Sequence, residues 1–415
     1  MRIGIEKMTF YAARAYLPIS ELAVARGVEL DSLTSQQLMP YEARTVVPAY
    51  EDAVTLAVNA AQRLLTPRDR EDVELVVVAT ESGVDYGKPL STWVHRFCGL
   101  PSQCRNFEVK HMCYGGTAAL RVAASVLSAE CRPGKKALVI SADLSRPRTR
   151  VLTEDEGLAE FMAGGCAVAM LVSAEPGVLE LEVDKTGFWT NELSDALRPT
   201  SSVEIITGQL SFCSYLDGLE EAYRHYESRV GAIDFSTYFN KHVYHAPFPG
   251  MPCVAHRTML RERGIDDDVS IERSYRDKVA GGNHFGRRLG SAYGASPFVS
   301  LLGLLRTSTD LRPGDRISMY AYGSGCQAEF SSGLVGADAQ DRVRALDLDG
   351  HLDERTRLSV AQYEAIERAR ERMIDGRDGD PLQDDPGGVY AERYAGRGLL
   401  VLQQVRNYRR TYGWA

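Results

Sequence analysis

The stretch VKHMCYGGTAAL, residues 109–120, decides the fold because a second stretch, SAYGASPF at residues 291–298, repeats its plan. In both, a Tyr-Gly pair precedes small residues and an apolar helical pattern, and Tyr114 and Tyr293 lie 179 positions apart. Each helical pattern then runs into Arg-Pro-Gly, at 132–134 and 312–314, and on into an apolar strand, KKALVISADLS or DRISMYAYGSG. This repetition at a nearly constant offset predicts two related halves.

Two more apolar runs extend the plan, VELVVVATES at 73–82 and CAVAMLVSAE at 166–175. Near-continuous apolar runs are typical of strands covered on both faces, and helical patterns separate them. The sequence therefore predicts an α/β fold, with helices layered on two central sheets. We expect an N-terminal half at 1–175 and a C-terminal half at 176–415, with a charge-rich surface insertion near 340–392.

The composition of the 415 residues excludes several function classes. A net charge of −8 argues against a general polyanion binder, so no nucleic-acid partner is expected. No run approaches the roughly 18 apolar residues of a membrane span, and MRIGIEKMTF lacks the apolar segment of a signal peptide, which predicts a cytoplasmic protein without a membrane partner. The eight cysteines show no CxxC pair and no zinc spacing, so we expect no metal.

Cys113 lies where the chain turns into a helix that begins near Gly115, and it has two interpretations. A lone cysteine near a helix start is often a buried small hydrophobe. As a nucleophile, its sulfur would lie near the unpaired N-terminal amides of the helix, which would lower the thiol pKa towards neutrality. The bare amides of Gly115 and Gly116 would then hold an oxyanion.

Three further positions are candidates for chemistry. Glu81 follows the strand VVVAT, at the carboxyl end where sites in α/β sheets open, although such acids are also common as solvated or capping groups. His245 lies in the rigid turn VYHAPFPGM, and the local pattern does not choose between it and a nearby set of histidines: His242, His256 and His284. Ser324, in YGSGC, ends a glycine-rich strand, and its amide is a candidate oxyanion donor or part of a plain tight turn.

Four motifs together carry a specific resemblance. TESGVDYGKPLSTWVHRFCGL, FEVKHMCYGGTAAL, YHAPFPGM and YGSGC, in this order, resemble the hydroxymethylglutaryl-CoA synthase family of the thiolase superfamily. ATESGVDYGKPLST, RPTSSVEIITGQLSFCSYLDGLEEAYRHY and AHRTML are most similar to the branch that works beside modular polyketide synthases. The resemblance implies a thiolase-like duplicated fold, layered αβαβα with two central mixed sheets, and a homodimer.

The same resemblance implies roles for these residues. Cys113 would take an acetyl or propionyl group from a donor acyl carrier protein, and Glu81 would remove its α-proton. The enolate would attack the β-ketone of a chain on an acceptor carrier protein, which His245 would position and polarise. The amides of Cys113 and Ser324 would be the oxyanion donors, and water would free the product. The thioester supplies the activation, so no cofactor is expected.

The sequence departs from the family pattern at several positions. Ser291 follows Gly290 where the family usually has Asn, and Asn283 is a candidate to compensate. Gly323 and Tyr293 are further candidates for substrate binding. Pro249 to Met251 stand where the CoA-dependent enzymes commonly carry a lysine, and Glu160-Phe161 replaces the usual Glu-Pro.

Carrier proteins present acidic helices, so a local basic patch is expected to meet them. The candidates for this contact are Arg257, Arg287 and Arg288, with Arg96 and Arg105 as further members. Three alternatives stay open at this point. They are a CoA-dependent hydroxymethylglutaryl-CoA synthase, a Claisen enzyme of the ketoacyl-synthase type, and a non-catalytic scaffold subunit.

Overall fold

The computed structural model describes residues 2–29, 40–130, 133–145, 150–151, 156–201, 203–383 and 385–415. The strands, in chain order, are β1 (Gly4–Ala12), β2 (Ala15–Pro18), β3 (Ala43–Val46), β4 (Val73–Ala79), β5 (Arg105–Val109), β6 (Lys136–Leu144), β7 (Arg150–Val151), β8 (Gly165–Ser173), β9 (Leu179–Thr190), β10 (Ala196–Thr200), β11 (Val203–Ile206), β12 (Lys241–Tyr244), β13 (Arg316–Gly323), β14 (Gln327–Val335), β15 (Thr356–Arg357), β16 (Leu400–Arg406) and β17 (Arg409–Trp414).

The α-helices are α1 (Ile19–Arg26), α2 (Ala53–Leu64), α3 (Pro67–Asp72), α4 (Ser91–Phe97), α5 (Gly115–Ala129), α6 (Glu156–Met162), α7 (Gly208–Val230), α8 (Phe235–Tyr238), α9 (Met251–Arg261), α10 (Asp268–Lys278), α11 (Asn283–Leu289), α12 (Ser296–Thr307), α13 (Ala339–Arg344), α14 (Leu348–Asp353), α15 (Val360–Arg372) and α16 (Val389–Arg393). Short 3₁₀ turns lie at Ala280–Gly282, Tyr293–Ala295, Ile374–Gly376 and Pro381–Gln383. No helix of the described ranges has the length and apolar character needed to cross a membrane.

Nine strands form one mixed sheet in the order β12-β13-β14-β9-β1-β8-β6-β4-β5. The four apolar runs singled out in the sequence are strands β4, β6, β8 and β13, as predicted. Their residues are buried almost throughout because helices cover both faces of the sheet. The predicted α/β class is therefore confirmed.

The two predicted sheets are joined edge to edge. The set β5-β4-β6-β8-β1 comes from residues before 175, and the set β9-β14-β13-β12 comes from residues after 176. Gly4 and Ile5 of β1 pair with Glu180 and Leu179 of β9 across the boundary. A Cβ on Gly4 would lie 2.1 Å from the Leu179 carbonyl oxygen, so only glycine allows this approach. The division into halves at 175 stays a prediction.

The two stretches that the sequence matched lead into helices α5 and α12, and the N-terminal turns of these helices pack together. A Cβ on Gly116 would lie 2.4 Å from the Gly294 carbonyl oxygen, and one on Gly294 would lie 3.4 Å from the Cys113 carbonyl oxygen. The first ten residues of α12 are all buried. The small residues after each Tyr-Gly pair therefore bring the two helix starts into contact beneath the Cys113 turn.

The expected surface insertion near 340–392 is only partly at the surface, which corrects the prediction. Leu348 and Leu352 of α14 are buried in the core beneath β1, and Tyr363 and Ile366 of α15 are buried in a second cluster. Their spacing of three or four residues gives each helix an apolar face that the average polarity of the segment conceals. The segment packs as part of the fold.

Candidate active site

A cavity of about 260 Å³ contains three of the predicted residues, Cys113, His245 and Ser324. The rest of its lining is mostly apolar: Ala159, Met162, Ile206, Gly208, Ser211, Phe212, Tyr215, Pro247, Phe248, Met251 and Tyr322. A mostly apolar pocket with a few convergent polar groups suits an organic substrate. Within the described ranges, no group of three or more His, Cys, Asp or Glu side chains is placed to hold a metal ion.

Cys113 lies in a tight turn between β5 and α5. The Tyr114 amide donates to the His111 carbonyl at 3.0 Å, and Met112 takes a left-handed φ of 40°. The thiol of Cys113 donates to Glu81 Oε2, with Sγ 3.7 Å from the oxygen. Burial and the Glu81 carboxylate raise the thiol pKa well above its usual value. The expectation that the thiol pKa falls towards neutrality is therefore wrong, because burial and the adjacent negative charge raise it.

Glu81 follows the end of β4, as predicted, and its side chain is 4% exposed. Its amide donates to Asp143 Oδ1 at 2.8 Å. Its Oε1 lies 3.3 Å from Nη1 of Arg198, which also donates to the Glu81 carbonyl oxygen at 3.2 Å. Backbone and side chain of Glu81 are thus both held by contacts from other strands.

Asp143 and Arg198 contact Glu81 and were not among the candidates that the sequence indicated. Asp143 lies near the end of β6, beside β4 in the sheet, and it also accepts from the Thr80 hydroxyl at 3.0 Å. Burial, followed by repulsion from Glu81, raises the pKa of Asp143 to about 8. The internal offset of about 180 positions matches Ser324 to the neighbourhood of Asp143 and Leu144, but it gives neither residue a role.

His245 follows β12 and is 2% exposed. Its amide donates to the Tyr320 carbonyl at 2.7 Å, and its carbonyl accepts from the Tyr215 hydroxyl at 2.7 Å. Its Nδ1 lies 2.5 Å from Ser296 Oγ, which also accepts from the Ala246 amide. Nε2 is therefore the nitrogen left for the cavity. Burial lowers the pKa of His245 to about 3, so the imidazole is neutral at physiological pH.

The other histidines considered in the sequence do not line this cavity. His242 hydrogen-bonds Ser318 at 2.8 Å, and His256 hydrogen-bonds Tyr244 at 3.1 Å and Ser274 at 2.9 Å. His284 pairs with Asp349 at 2.7 Å near the surface. Only His245 combines burial with a place on the cavity wall among these four.

Ser324 and Gly323 end β13 against the Cys113 turn. A Cβ on Gly323 would lie 2.5 Å from the Tyr114 amide nitrogen and 2.8 Å from the His111 carbonyl oxygen. The Gly325 amide donates to Asp195 Oδ1 at 2.9 Å, which anchors this loop from its other side. Glycine at 323 is therefore what brings Ser324 to the cavity beside Cys113.

Asn283 does not lie at the cavity wall as expected of a compensating amide. Its Nδ2 donates to the Pro249 carbonyl at 2.7 Å and to the Tyr275 hydroxyl at 3.1 Å, so it supports the turn after His245. Ser291 Oγ accepts from the Tyr293 amide at 3.3 Å. The Tyr293 ring centroid lies 5.8 Å from the Arg198 guanidinium, which places Tyr293 behind Glu81.

The arginines predicted to meet a carrier protein differ in their surroundings. Arg257 is exposed on α9, a helix whose first residue lines the cavity. Arg287 pairs with Glu42 at 3.0 Å, and Arg288 pairs with Asp353. Arg105 pairs with Glu130 at 2.7 Å, and Arg96 is exposed beside the Phe97 ring. A paired arginine presents less net charge to a partner, so Arg257 is the stronger candidate of the three.

Comparison with known proteins identifies the family of this chain. The polyketide biosynthesis 3-hydroxy-3-methylglutaryl-ACP synthase PksG of Bacillus subtilis (strain 168) is 35% identical over 420 residues, which cover 99% of this chain and 99% of that protein. The chain belongs to the hydroxymethylglutaryl-CoA synthase family. The family model described as hydroxymethylglutaryl-coenzyme A synthase C terminal matches residues 267–413 of this synthase.

Two further proteins are similar to most or all of this chain. The solved HMG synthase of the curacin biosynthetic pathway, in complex with holo donor-ACP, superposes with a TM-score of 0.92 at 35% identity and covers 100% of both chains. The hydroxymethylglutaryl-CoA synthase of Enterococcus faecalis is 32% identical, over 88% of this chain and 91% of that protein. The predicted thiolase-like fold is confirmed, and this synthase is an acyl-condensing enzyme.

Proposed function

We propose that this synthase adds an acetyl or propionyl group, delivered to Cys113 by a donor acyl carrier protein, to the β-ketone of a polyketide on an acceptor carrier protein. The product is a β-hydroxy-β-carboxyalkyl thioester, an intermediate of β-branching. The observation that carries this proposal is the 3.7 Å contact between Cys113 Sγ and Glu81 on the wall of a cavity that also contains His245. The aldol chemistry needs a nucleophile, a base and a carbonyl-polarising group together.

Acylation of Cys113 is the first step. Glu81 takes the thiol proton, and the thiolate attacks the carbonyl carbon of the donor thioester. The tetrahedral oxyanion is stabilised by the backbone amides of Cys113 and Ser324. The bond to the carrier sulfur then breaks, and the departing thiolate takes the proton from Glu81. Cys113 is left as an acyl thioester, and Glu81 is again a carboxylate.

Carbon–carbon bond formation uses the same carboxylate a second time. Glu81 removes an α-proton from the acyl group on Cys113, and the enolate carbon attacks the β-ketone of the acceptor. His245 is neutral, so a proton on Nε2 donates to the ketone oxygen and stabilises the alkoxide as it forms. The proton that Glu81 took from the acyl group then passes to the alkoxide, which gives the tertiary hydroxyl group and returns Glu81 to a carboxylate. Water then attacks the Cys113 thioester and releases the new carboxylic acid with the thiol restored.

Carrier proteins rather than free CoA are favoured by two features. The turn after His245 continues as Pro249 to Met251, without the lysine that the CoA-dependent enzymes commonly carry there. Exposed Arg257 lies on helix α9, which begins at the cavity, and a cation there suits an acidic carrier helix. Two relatives also support carrier proteins over free CoA. PksG is called an ACP synthase, and the curacin HMG synthase was solved with donor-ACP.

We also propose a homodimer in the cytoplasm. In the described sheet, β5 hydrogen-bonds only to β4, and an edge of unpaired backbone groups is a template for a second copy. Tyr86, in the loop after β4, is 94% exposed. The seven described cysteines are free thiols, as expected in a reducing compartment. A monomeric mass by analytical ultracentrifugation at micromolar concentration would contradict the dimer.

Intact-protein mass spectrometry tests the function. The wild type and Cys113→Ala are incubated with acetyl carrier protein or with acetyl-CoA. Acetylation that requires Cys113 and is fast from the carrier protein supports the proposal. Efficient loading from CoA would move the enzyme to the CoA-dependent alternative, and loading that persists in Cys113→Ala would remove Cys113 from the mechanism.

A further inference from the structure

Arg198 is a buried arginine in direct contact with the candidate base, and neither the motifs nor the steps above assign it a role. It lies on β10, and its side chain is 7% exposed. Its Nη1 lies 3.3 Å from Glu81 Oε1, and its Nη2 lies 2.9 Å from Glu204 Oε1 on β11. A buried guanidinium is costly to desolvate unless it is paired, so these contacts define its place in the fold.

The two carboxylate oxygens of Glu81 face different residues because of the contact with Arg198. Oε1 faces Arg198, and Oε2 lies 3.7 Å from the sulfur of Cys113. An acyl group on that sulfur therefore meets Oε2, the oxygen without the guanidinium. Because the second contact of Nη1 is to the Glu81 carbonyl oxygen, the arginine fixes the side chain relative to its own backbone.

Arg198 is itself held rigidly. Strand β10 pairs with β11, with Leu197 opposite Ile205, so Glu204 stays beside the guanidinium. Asp195, one residue before β10, accepts from the Tyr322 hydroxyl at 3.0 Å and from the Gly325 amide at 2.9 Å. The segment that carries Arg198 is thus tied to the loop that carries Ser324, so base and oxyanion donor are positioned from one strand.

Arg198 places a positive charge among acidic and neutral groups beside Glu81. Described groups that face Glu81 include Cys113 from the turn before α5, Asp143 from β6, Arg198 from β10 and Tyr293 from the turn before α12. All except Arg198 are acids or neutral, and Glu204 adds another carboxylate behind it. Among these groups, Arg198 alone offsets the negative charge that Glu81 must carry to act as a base.

We propose that Arg198 is a positioning residue that keeps Glu81 a carboxylate and turns its second oxygen towards the acyl group on Cys113. The inference rests on the proposed function and deepens it. Its consequence falls on α-proton removal. Loading of Cys113 also uses Glu81, so the acyl-enzyme is formed first and α-proton removal is measured on it separately.

Deuterium exchange into the acetyl group isolates the proton-transfer step. Cys113 is loaded with acetyl from the carrier protein, the acetyl-enzyme is placed in D₂O without acceptor, and uptake of deuterium into the methyl group is followed by mass spectrometry. The variants are Arg198→Met and Arg198→Gln, which remove the charge, and Arg198→Lys, which keeps it. Arg316→Met is the matched control, because Arg316 pairs with Glu182 at 2.8 Å at the opposite end of β13 from Gly323.

We expect exchange to fall about 100-fold in the neutral variants, the effect of a misplaced catalytic group. We expect Arg198→Lys to stay within about tenfold of the wild type. Loss of the cation disfavours the Glu81 carboxylate, so the pH of half-maximal exchange should rise by about 1–3 units in the neutral variants. It should stay near the wild-type value in Arg198→Lys and Arg316→Met.

The outcomes separate this inference from the proposed function. Wild-type exchange rates and pH profile in a neutral variant that still acetylates would overturn the role of Arg198 and leave the function intact. An equal loss in Arg316→Met would show a general structural effect and would also overturn it. Failure of the wild type to acetylate at all would instead remove the proposed function, and this inference with it.

Discussion

Replacing Gly323 by alanine is expected to separate the two sides of the active site. The new Cβ would lie 2.5 Å from the Tyr114 nitrogen, 2.6 Å from its Cβ and 2.8 Å from the His111 carbonyl oxygen. Normal carbon contacts start near 3.5 Å, so the two backbones must move apart by about 1 Å. Both are hydrogen-bonded in place, Gly323 opposite Gln327 and Tyr114 to His111. We expect a loss of about 1–3 kcal/mol in the free energy of unfolding.

The same movement shifts Ser324 relative to Cys113, and a displacement of about 1 Å lowers rates about 100-fold. Urea denaturation measures the stability, and the initial rate of Cys113 acetylation from acetyl carrier protein measures the catalytic effect. Gly286→Ala on α11 is the control, because its Cβ would have no heavy atom within 4 Å. The control should keep its activity and gain up to about 1 kcal/mol. Equal acetylation rates in Gly323→Ala and Gly286→Ala would refute the reasoning.

Two other predictions concern the surroundings of Cys113 and His245. Glu81→Gln removes a negative charge and a hydrogen-bond acceptor from beside the thiol, so the pKa of Cys113 should fall. The pH dependence of alkylation by iodoacetamide measures this change and should move to lower pH. An unchanged profile would show that Glu81 does not raise the thiol pKa. Asn283→Ala leaves the Pro249 carbonyl and the Tyr275 hydroxyl without this donor, so the free energy of unfolding should fall by about 1–3 kcal/mol while Cys113 still acetylates. Loss of acetylation with unchanged urea denaturation would instead give Asn283 a role in the site.

The candidates that the sequence indicated are residues whose position and type are visible locally. Glu81 ends an apolar strand and Cys113 begins a helix, so position and residue type together indicate them. Arg198 was missed because it lies 117 positions from Glu81 in the sequence. The residue pattern of β10 does not indicate a contact with Glu81. The pKa of Cys113 was predicted in the wrong direction for the same reason. A local argument includes the helix terminus but not a carboxylate supplied by another strand.

Composition was misleading over 340–392 because it averages two faces of a helix. The charged residues of α15 dominate the average, while Tyr363 and Ile366 lie on its buried side. The helical spacing of these residues carried the information that the average removed. The sequence also did not predict that the two sheets pair with each other. The close contact between Gly4 and Leu179 exists only once both strands are in place.

The proton arrangement of the site implies an order for the proposed reaction. In the resting enzyme the Cys113 thiol keeps its proton, because burial and Glu81 raise its pKa. Glu81 receives that proton when the thiolate attacks the donor, and it must lose it again before it can remove an α-proton. The departing carrier thiolate is the group that takes it. Enolate formation therefore follows release of the donor carrier, and the acceptor binds to an enzyme that already holds both its acyl group and its base. His245, neutral throughout, takes no part in this first exchange and is available to the ketone.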